Sequence, residues 1–274
     1  MMKRSIRHHI LADLETPGMV YDVLVIGGGA SGLGAAIEAA SKGYKTLLLE
    51  QSDFAKGTSS RSTKLVHGGV RYLAQGNISL VLEALRERGR LKRNAPHLVK
   101  DQSFVIPCYQ WWCVPFYTIG LTLYDLMAGK WRIGRSKALS KEKTIQALPA
   151  ISSKELRGGV RYYDCQFDDA RLSVNLSQTL FDQGGTALNY LEVTGLTKKY
   201  GKVDGVKAID KESGREFEIR AKSVINATGV FVDRILKMEN PAARDVVKPS
   251  QGIHLVMNPD FLMGQEALMI PKTS

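Results

Sequence analysis

The alternation of apolar and polar positions near the start of the chain predicts a βαβ unit. Residues 20–26 form a short, β-branched apolar run that ends at glycines, which is typical of a buried parallel strand. Residues 30–41 carry small and aliphatic side chains at helical spacing, and residues 45–50 form a second buried strand. The preceding residues 1–18 form a polar leader. A strand, a helix and a second strand are therefore expected after the leader.

The pattern changes in the middle of the chain and later returns to strands. Residues 80–98 show helical periodicity, whereas residues 101–134 mix aromatic residues, glycine and proline without a simple period, which predicts an inserted second domain. A helix is predicted from residue 168 to about residue 183, and a strand over 186–193. Two alternating segments separated by glycine turns then predict an antiparallel meander before a buried strand at 223–226.

The glycines after the first strand carry the clearest chemical signal. Gly27, Gly29 and Gly32 have the spacing G-x-G-x-x-G between a predicted strand and a predicted helix, which is typical of dinucleotide binding. Glycine permits a tight turn, and the helix N-terminus attracts a pyrophosphate. Glu50 ends the second strand, where its carboxylate suits ribose hydroxyls and repels a 2′-phosphate. NAD and FAD both meet these requirements, and the meander that leads to residues 227–229 favours FAD.

Composition adds a positive charge to this picture. The 38 Lys and Arg residues exceed the 27 Asp and Glu residues by 11, which favours phosphates, acidic lipids or nucleic acids without choosing among them. Cys108, Cys113 and Cys165 lack C-x-x-C spacing, so we expect reduced, buried thiols without a disulfide or a metal site. The chain shows no secretory signal and no run of about 18 apolar residues, which predicts a cytosolic protein whose membrane contact is peripheral.

Residues 58–73, TSSRSTKLVHGGVRYL, closely resemble the signature of FAD-dependent glycerol-3-phosphate dehydrogenases and the related alpha-glycerophosphate oxidases. Further resemblance lies in residues 95–98, 163–165, 168–172 and 224–229, and it extends from about Tyr21 to the end of the chain. The first predicted helix departs from the family, which commonly has Asp and Arg where this chain has Glu and Lys. The charges are retained, so the departure leaves the resemblance intact.

The resemblance implies an α/β fold with a glutathione-reductase-like, FAD-binding Rossmann domain of three layers and a β-rich substrate or cap domain. The FAD-binding domain is expected over residues 19–95 and 160–235, and the substrate domain over residues 96–159 and 236–274. Members of the family continue well beyond this length and carry a late Gly-Gly-Lys motif. We therefore expect the substrate domain to be truncated at the C-terminus.

The resemblance also implies the reaction and its residues. The family oxidises sn-glycerol 3-phosphate to dihydroxyacetone phosphate by hydride transfer to flavin N5, and it passes the electrons to quinone or oxygen. Arg71 and Tyr72 match the substrate site, where a guanidinium and a phenol suit a phosphate. His254 matches a histidine that faces the substrate and would accept the hydroxyl proton. His67 is expected to position the flavin ring.

The predicted FAD contacts combine the glycine motif with the hydroxyls and amides of the signature segment. Hydroxyls and backbone amides suit a phosphate and the flavin ring, and adjacent glycines let the backbone approach a planar ring. No metal is expected. The predicted contacts are Gly27, Gly29, Ala30, Ser31, Gly32, Glu50, Gln51, Thr58, Ser59, Ser62, Thr63, Lys64, Leu65, His67, Gly68, Val193, Ala227, Thr228 and Gly229.

An aromatic and basic segment indicates where a membrane would be contacted. Interfacial aromatics beside cations are typical of membrane-surface segments, although a core hairpin of the cap domain has the same composition. Because the relatives are monotopic, we expect the protein at the inner face of the cell membrane, without a nucleic-acid partner and with a homodimer left open. The aromatics are Trp111, Trp112, Phe116, Tyr117, Tyr124 and Trp131, and the cations are Lys130, Arg132, Arg135, Lys137 and Lys141.

Two alternatives of different classes stay open at this point. The first is an amine-oxidising flavoprotein of the glycine or sarcosine oxidase type. The sequence of residues 59–72 argues against it. The second is a catalytically incomplete module that binds FAD or docks on a membrane. The sequence does not choose between quinone and oxygen as the electron acceptor.

Overall fold

A computed structural model describes residues 2–73, 75–261 and 263–271, without the side chains of residues 2–6, 71 and 259. The chain divides into two compact units. The first unit comprises Met1–Ser62 and Asp169–Gly252, and the second comprises Thr63–Asp168 and Ile253–Ser274.

The described residues form helices and strands in an order that mixes the two throughout. The helices are α1 (Met2–Leu14), α2 (Ala30–Ser41), α3 (Val70–Leu73), α4 (Ile78–Asn94), α5 (Cys113–Ala128), α6 (Lys141–Ala147), α7 (Asp169–Asp182) and α8 (Val232–Glu239). The strands are β1 (Val20–Ile26), β2 (Thr46–Leu49), β3 (Leu65–Val66), β4 (Val99–Cys108), β5 (Lys137–Leu139), β6 (Gly158–Phe167), β7 (Thr186–Leu188), β8 (Leu191–Lys199), β9 (Lys202–Asp210), β10 (Glu216–Asn226) and β11 (Ala267–Leu268). Short 3₁₀ helices cover Thr58–Ser60, Gly129–Trp131, Gly229–Phe231 and Pro259–Phe261.

The sheet of the first unit has the order β7-β2-β1-β10-β9-β8. Strands β7, β2, β1 and β10 are parallel neighbours, whereas β10, β9 and β8 pair antiparallel. The predicted separate strand at 223–226 is wrong, because these residues end β10, whose earlier residues belong to the meander. The predicted strand 186–193 is also wrong as a single element. It divides into β7 and β8 at Tyr190, which has a positive φ of 55°.

Helices α2 and α7 cover one face of this sheet, and α1 and α8 pack in the core on the other face, which confirms the predicted three-layer α/β fold. Val25 of β1 packs against α2 and α7 on one face. Its neighbours Leu24 and Ile26 pack on the other face, in the core that includes residues of β8, β9 and β10. This alternation follows from the period of two in a strand that is buried on both faces.

The N-terminal residues belong to this core, and their prediction as a polar leader is wrong. They form α1, whose Leu11 and Leu14 are buried against the sheet. The Arg7 guanidinium donates hydrogen bonds to the backbone oxygen of Asn189 at 2.6 Å and to the Asp210 carboxylate at 2.5 Å. Among the described side chains of α1, Ile10 packs beside these leucines, and the charged residues between the apolar ones hide this face in a simple hydrophobicity pattern.

The second unit is built on a sheet of order β11-β4-β6-β3, with β5 paired to β6. Strands β4 and β6 pair antiparallel over their full ten residues. This pairing makes the observed units differ from the expected domains, which separated the two strands at residues 95/96 and 159/160. Helix α5 packs its Leu121 against the sheet, and its Tyr124 packs against Val81 and Leu85 of α4.

The expectation of three reduced cysteines is wrong for two of them. Cys108 ends β4 and Cys113 begins α5, and they form a disulfide with Cα atoms 5.4 Å apart. The chain reverses between these two elements, and this distance lies in the usual range for disulfides. Cys165 is free and buried on β6.

Candidate functional site

The turn between β1 and α2 requires glycine at defined positions. Gly27 has a φ of 113°, and a Cβ atom there would lie 2.5 Å from the Ala227 backbone oxygen. A Cβ atom on Gly32 would lie 1.9 Å from the Gly27 oxygen. The absent side chains therefore allow the turn, the end of β10 and the first turn of α2 to pack closely.

The Glu50 carboxylate is fixed by backbone amides on both of its oxygens. Oε2 accepts a hydrogen bond from the Gly28 amide at 2.7 Å, and Oε1 accepts one from the Ser52 amide at 2.8 Å. A Cβ atom on Gly28 would lie 2.8 Å from the Glu50 Cβ, so only glycine permits this approach. Each carboxylate oxygen keeps further acceptor capacity, which suits the vicinal hydroxyls of a ribose.

These residues border a cleft of about 590 Å³ that belongs entirely to the first unit. Its volume is in the range of about 300 to 1,000 Å³ that is usual for ligand sites. A carboxylate, a glycine turn and a helix N-terminus meet here, as the adenosine diphosphate part of a dinucleotide requires. The predicted contacts that line this first-unit cleft are Gly27, Gly29, Ser31, Glu50, Gln51, Thr58, Ser59, Val193, Ala227, Thr228 and Gly229.

The N-terminus of α2 already binds one oxygen acceptor. Its N-cap residue, Gly29, makes no side-chain cap, and the Ala30 amide instead donates to the Ser59 hydroxyl oxygen at 2.9 Å. A Cβ atom on Gly29 would lie 2.9 Å from the same oxygen. Ser59 of the signature segment therefore lies at the N-terminus of α2, where the helix dipole also stabilises a phosphate oxygen.

A buried carboxylate, to which the sequence analysis assigned no role, binds Ser62 of the signature segment. Asp169 Oδ2 accepts hydrogen bonds from the Ser62 amide at 3.1 Å and from the Ser62 hydroxyl at 2.7 Å. Its Oδ1 accepts from the Ala170 amide at 2.8 Å at the start of α7. An acidic residue in the first turn of a predicted helix was the available signal, because such residues satisfy free amides.

An ion pair in the cleft wall was also missed. Arg234 donates to Glu192 Oε1 at 2.8 Å, and both residues line the first-unit cleft. Burial raises the pKa of Glu192, but hydrogen bonds from Arg234 and Lys211 outweigh it and hold that pKa below its ordinary value. The wall therefore carries an ionised pair at neutral pH.

Ser62 belongs to the first unit, and the predicted FAD contacts from Thr63 to Gly68 lie in the second unit. The Lys64 oxygen accepts from the Phe167 amide at 2.9 Å, and Leu65 pairs with Gln166 in the sheet. His67 is exposed, whereas the adjacent Gly68 is buried. Thr63 is exposed in the same segment. The lining of the first-unit cleft contains none of these described residues, so their contact with the cofactor stays a prediction.

The predicted catalytic residues also belong to the second unit. Tyr72 lies on α3 and is partly exposed, and its amide donates to the Gly69 oxygen at 2.8 Å. The side chain of Arg71 lies outside the described residues. His254 is exposed in a segment without helix or strand. Their roles stay predictions. Among the described residues, no group of three His, Cys, Asp or Glu side chains is arranged to hold a metal ion.

Comparisons with known proteins agree with this geometry. The family model described as FAD dependent oxidoreductase matches residues 22–272. Mitochondrial glycerol-3-phosphate dehydrogenase of Schizosaccharomyces pombe is 42% identical over 93% of this chain and 42% of its own length. The Homo sapiens protein of the same name is 42% identical over 93% of this chain and 37% of its own length. The chain thus spans about two fifths of the curated relatives it matches.

A solved structure shares both the fold and a substantial part of the sequence. The glycerol-3-phosphate dehydrogenase from Bacillus halodurans, complexed with FAD, is 31% identical with a TM-score of 0.67. The match covers 85% of this chain and 39% of that one. The glycine turn, the fixed carboxylate and the cleft are thus features of a chain whose solved relative binds FAD.

Proposed function

This chain belongs to the FAD dependent oxidoreductase family, and from that premise we propose that it holds FAD in the oxidation of sn-glycerol 3-phosphate to dihydroxyacetone phosphate. The predicted cofactor and the predicted resemblance to glycerol-3-phosphate dehydrogenases are confirmed. The observation that carries the proposal is the 42% identity to such dehydrogenases over 93% of this chain. The names of these relatives favour a polyol phosphate over an amine as the substrate.

The residues of the first-unit cleft fit the adenosine diphosphate part of FAD. Glu50 would accept hydrogen bonds from the ribose hydroxyls while the Gly28 and Ser52 amides hold its carboxylate in place. The N-terminus of α2 would donate to the pyrophosphate. Ser59 presents its hydroxyl at the same helix end. When bound, FAD supplies the acceptor for the hydride that leaves the substrate.

The substrate residues follow from the family resemblance. Arg71 would bind the phosphate through charge-assisted hydrogen bonds, with Tyr72 beside it. His254 would accept the proton of the C2 hydroxyl as the C2 hydrogen leaves with its electron pair, so that a ketone forms. Imidazole suits this role because its pKa lies near neutrality.

The electron acceptor decides between a dehydrogenase and an oxidase. We infer that a quinone or oxygen accepts the electrons, and the products separate the two. In a protein that carries this chain and spans the relatives' full length, sn-glycerol 3-phosphate is expected to yield dihydroxyacetone phosphate. A soluble quinone analogue that raises turnover without peroxide supports the dehydrogenase, and stoichiometric hydrogen peroxide supports the oxidase. Absence of dihydroxyacetone phosphate with either acceptor contradicts the proposed function.

The exposed face of α5 supports the proposal of peripheral contact with the inner face of the cell membrane. Ile119 and Leu126 are 72% and 67% exposed, and Phe116 and Leu123 lie on the same face at spacings of three and four residues. Trp111 is 81% exposed just before the helix. The chain carries a net charge of +11, which favours anionic lipid. Among the described residues, no helix is long and apolar enough to cross a membrane.

The structure corrects part of the predicted interfacial group. Tyr124 is buried against α4, so it cannot serve as an interfacial aromatic. Tyr117 is half-buried and packs against the core of the second unit. Trp131 is half-buried, with Arg93 and Lys130 over its ring at 5.2 Å each. The exposed apolar face of α5 and Trp111 with Trp112 remain as the proposed surface.

Replacing Trp111 and Trp112 together with alanine is expected to weaken association with anionic liposomes at least about tenfold, because each loses an exposed apolar side chain that the interface would bury. Sedimentation with the liposomes measures the effect. Tyr200→Ala is the matched control, since Tyr200 is an exposed aromatic beside Lys199 in the β8–β9 turn of the first unit. Equal sedimentation of the double variant and the parent contradicts the proposed surface.

A further inference from the structure

A charged network is buried in the second unit, where three elements meet. Arg88 on α4 and Asp164 on β6 are only 2% and 3% exposed, and Tyr124 on α5 is 1% exposed. Arg88 Nη1 lies 2.7 Å from Asp164 Oδ1 and donates to the Tyr124 hydroxyl at 3.3 Å. The Tyr124 hydroxyl in turn donates to Asp164 Oδ2 at 3.3 Å. These three positions are 36 to 76 residues apart, so no local sequence pattern joins them.

The same network holds one backbone amide of the signature segment. Asp164 Oδ1 accepts a hydrogen bond from the Gly68 amide at 3.1 Å. A Cβ atom on Gly68 would lie 2.1 Å from the Tyr124 hydroxyl oxygen and 2.4 Å from Leu85 Cδ2. Gly68 is therefore held by the carboxylate and packed directly on the phenol. The side chain of the preceding residue, His67, is exposed. The network therefore holds the backbone directly beside an accessible histidine.

Stability alone is a poor explanation for this network. Desolvation of a buried ion pair commonly offsets its Coulombic attraction, and apolar replacements of similar volume are often as stable. Arg88 Nε is also buried without a hydrogen-bond partner among the described residues, which is unfavourable. Burial raises the pKa of Asp164 against the opposing effects of Arg88 and the Gly68 amide. The network does supply a fixed acceptor for Gly68.

We propose that Asp164, held by Arg88 and Tyr124, is a positioning residue that fixes the Gly68 amide and thereby orients the backbone of His67, Gly68 and Gly69. This inference rests on the proposed function, because the resemblance assigns that loop to the flavin. Arg88 and Tyr124 act through Asp164, to which both are hydrogen-bonded. The loop is thus held from the core of the second unit.

Two double variants separate positioning from stability. Arg88→Met with Asp164→Leu removes both buried charges and the acceptor for Gly68. Arg88→Met with Asp164→Asn also removes both charges, but it keeps an amide oxygen where Oδ1 lies. Neither variant leaves an unpaired buried charge, so both are expected to fold. The two variants differ only at residue 164, where leucine removes the acceptor for the Gly68 amide and the polar contact to the Tyr124 hydroxyl, and asparagine keeps polar atoms at both places.

The first readout is amide hydrogen exchange of the chain without cofactor. The Gly68 amide is expected to exchange about tenfold faster in the Leu variant than in the Asn variant, which corresponds to one lost hydrogen bond. The thermal midpoints of the two variants are expected to be similar. Equal exchange at Gly68 in both variants overturns the proposal. If the Leu variant does not fold, Tyr124→Phe is used instead: it keeps the ring, removes one hydrogen bond that holds Asp164, and is expected to speed exchange of the Gly68 amide relative to the parent. Parental exchange at Gly68 in Tyr124→Phe then overturns the proposal.

The second readout concerns the flavin itself. This readout uses an FAD-loaded protein that carries this chain and spans the relatives' full length. The visible circular dichroism of its flavin is expected to change in the Leu variant and to match the parent in the Asn variant. Anaerobic reduction by sn-glycerol 3-phosphate is expected to slow about tenfold or more in the Leu variant alone. Parental dichroism and rate in the Leu variant overturn the proposal. A parent that the substrate does not reduce contradicts the proposed function instead, while the dichroism comparison still tests the positioning role.

Discussion

Replacing Glu50 with arginine is expected to weaken FAD binding on the order of 10²-fold or more. The change removes the acceptor for the Gly28 and Ser52 amides, which now lie 2.7 and 2.8 Å from the carboxylate. A partly buried amide left without an acceptor costs about 1 to 3 kcal/mol, and the arginine also cannot accept from a ribose. Equilibrium binding of FAD, followed by quenching of flavin fluorescence, measures the loss.

Glu50→Gln is the matched control for this change. The amide keeps one acceptor oxygen and nearly the same shape, so binding is expected to fall less than in the arginine variant. Circular dichroism in the far ultraviolet tests whether both variants keep the fold. If the arginine variant is purified with parental flavin occupancy, Glu50 does not bind the ribose and the assignment of the cleft is wrong.

Replacing His254 with alanine is expected to lower the rate of flavin reduction by about 10² to 10⁴, since that is the usual effect of losing a general base. Arg71→Ala is expected mainly to raise KM for sn-glycerol 3-phosphate, because it removes a charge-assisted contact to the phosphate. Anaerobic stopped-flow reduction separates these effects from the electron acceptor. The measurement needs a protein that carries this chain and spans the relatives' full length.

His8→Ala is a suitable control for the histidine change, because His8 is an exposed residue of α1 and has no proposed role in the reaction. Its rate and flavin occupancy are expected to equal those of the parent. A parental reduction rate in His254→Ala removes His254 as the base. Unchanged substrate saturation in Arg71→Ala removes Arg71 as the phosphate ligand.

The first strand and the first helix of the βαβ unit could be predicted to the residue from local pattern, and the second strand, expected over 45–50, covers Thr46–Leu49. The expected strand 20–26 and helix 30–41 coincide with β1 and α2. Both elements have a strong apolar period and end at glycines, so local and tertiary preferences agree. The division between β7 and β8 depends instead on a positive φ at Tyr190. No composition signal marks it, because tyrosine rarely adopts that conformation.

The site was predictable where the contacts are local and was missed where they are distant. The glycine turn and Glu50 lie in one βαβ unit, and Gly27, Gly29 and Glu50 line one cleft. Asp169 reaches Ser62 across 107 residues, and Asp164 reaches Gly68 across 96. Nothing in a single sequence pairs such positions. The disulfide between Cys108 and Cys113 likewise depends on how the chain turns between β4 and α5.

The proposed function is tested most directly by anaerobic titration of an FAD-loaded protein that carries this chain and spans the relatives' full length. Addition of sn-glycerol 3-phosphate is expected to bleach the visible absorption of the flavin, because hydride transfer requires both a bound cofactor and a correctly placed substrate. Glycine and sarcosine, added in separate samples, are expected to leave the absorption unchanged. A flavin that stays oxidised with sn-glycerol 3-phosphate, or one that glycine or sarcosine bleaches instead, contradicts the assignment of this chain to glycerol 3-phosphate oxidation.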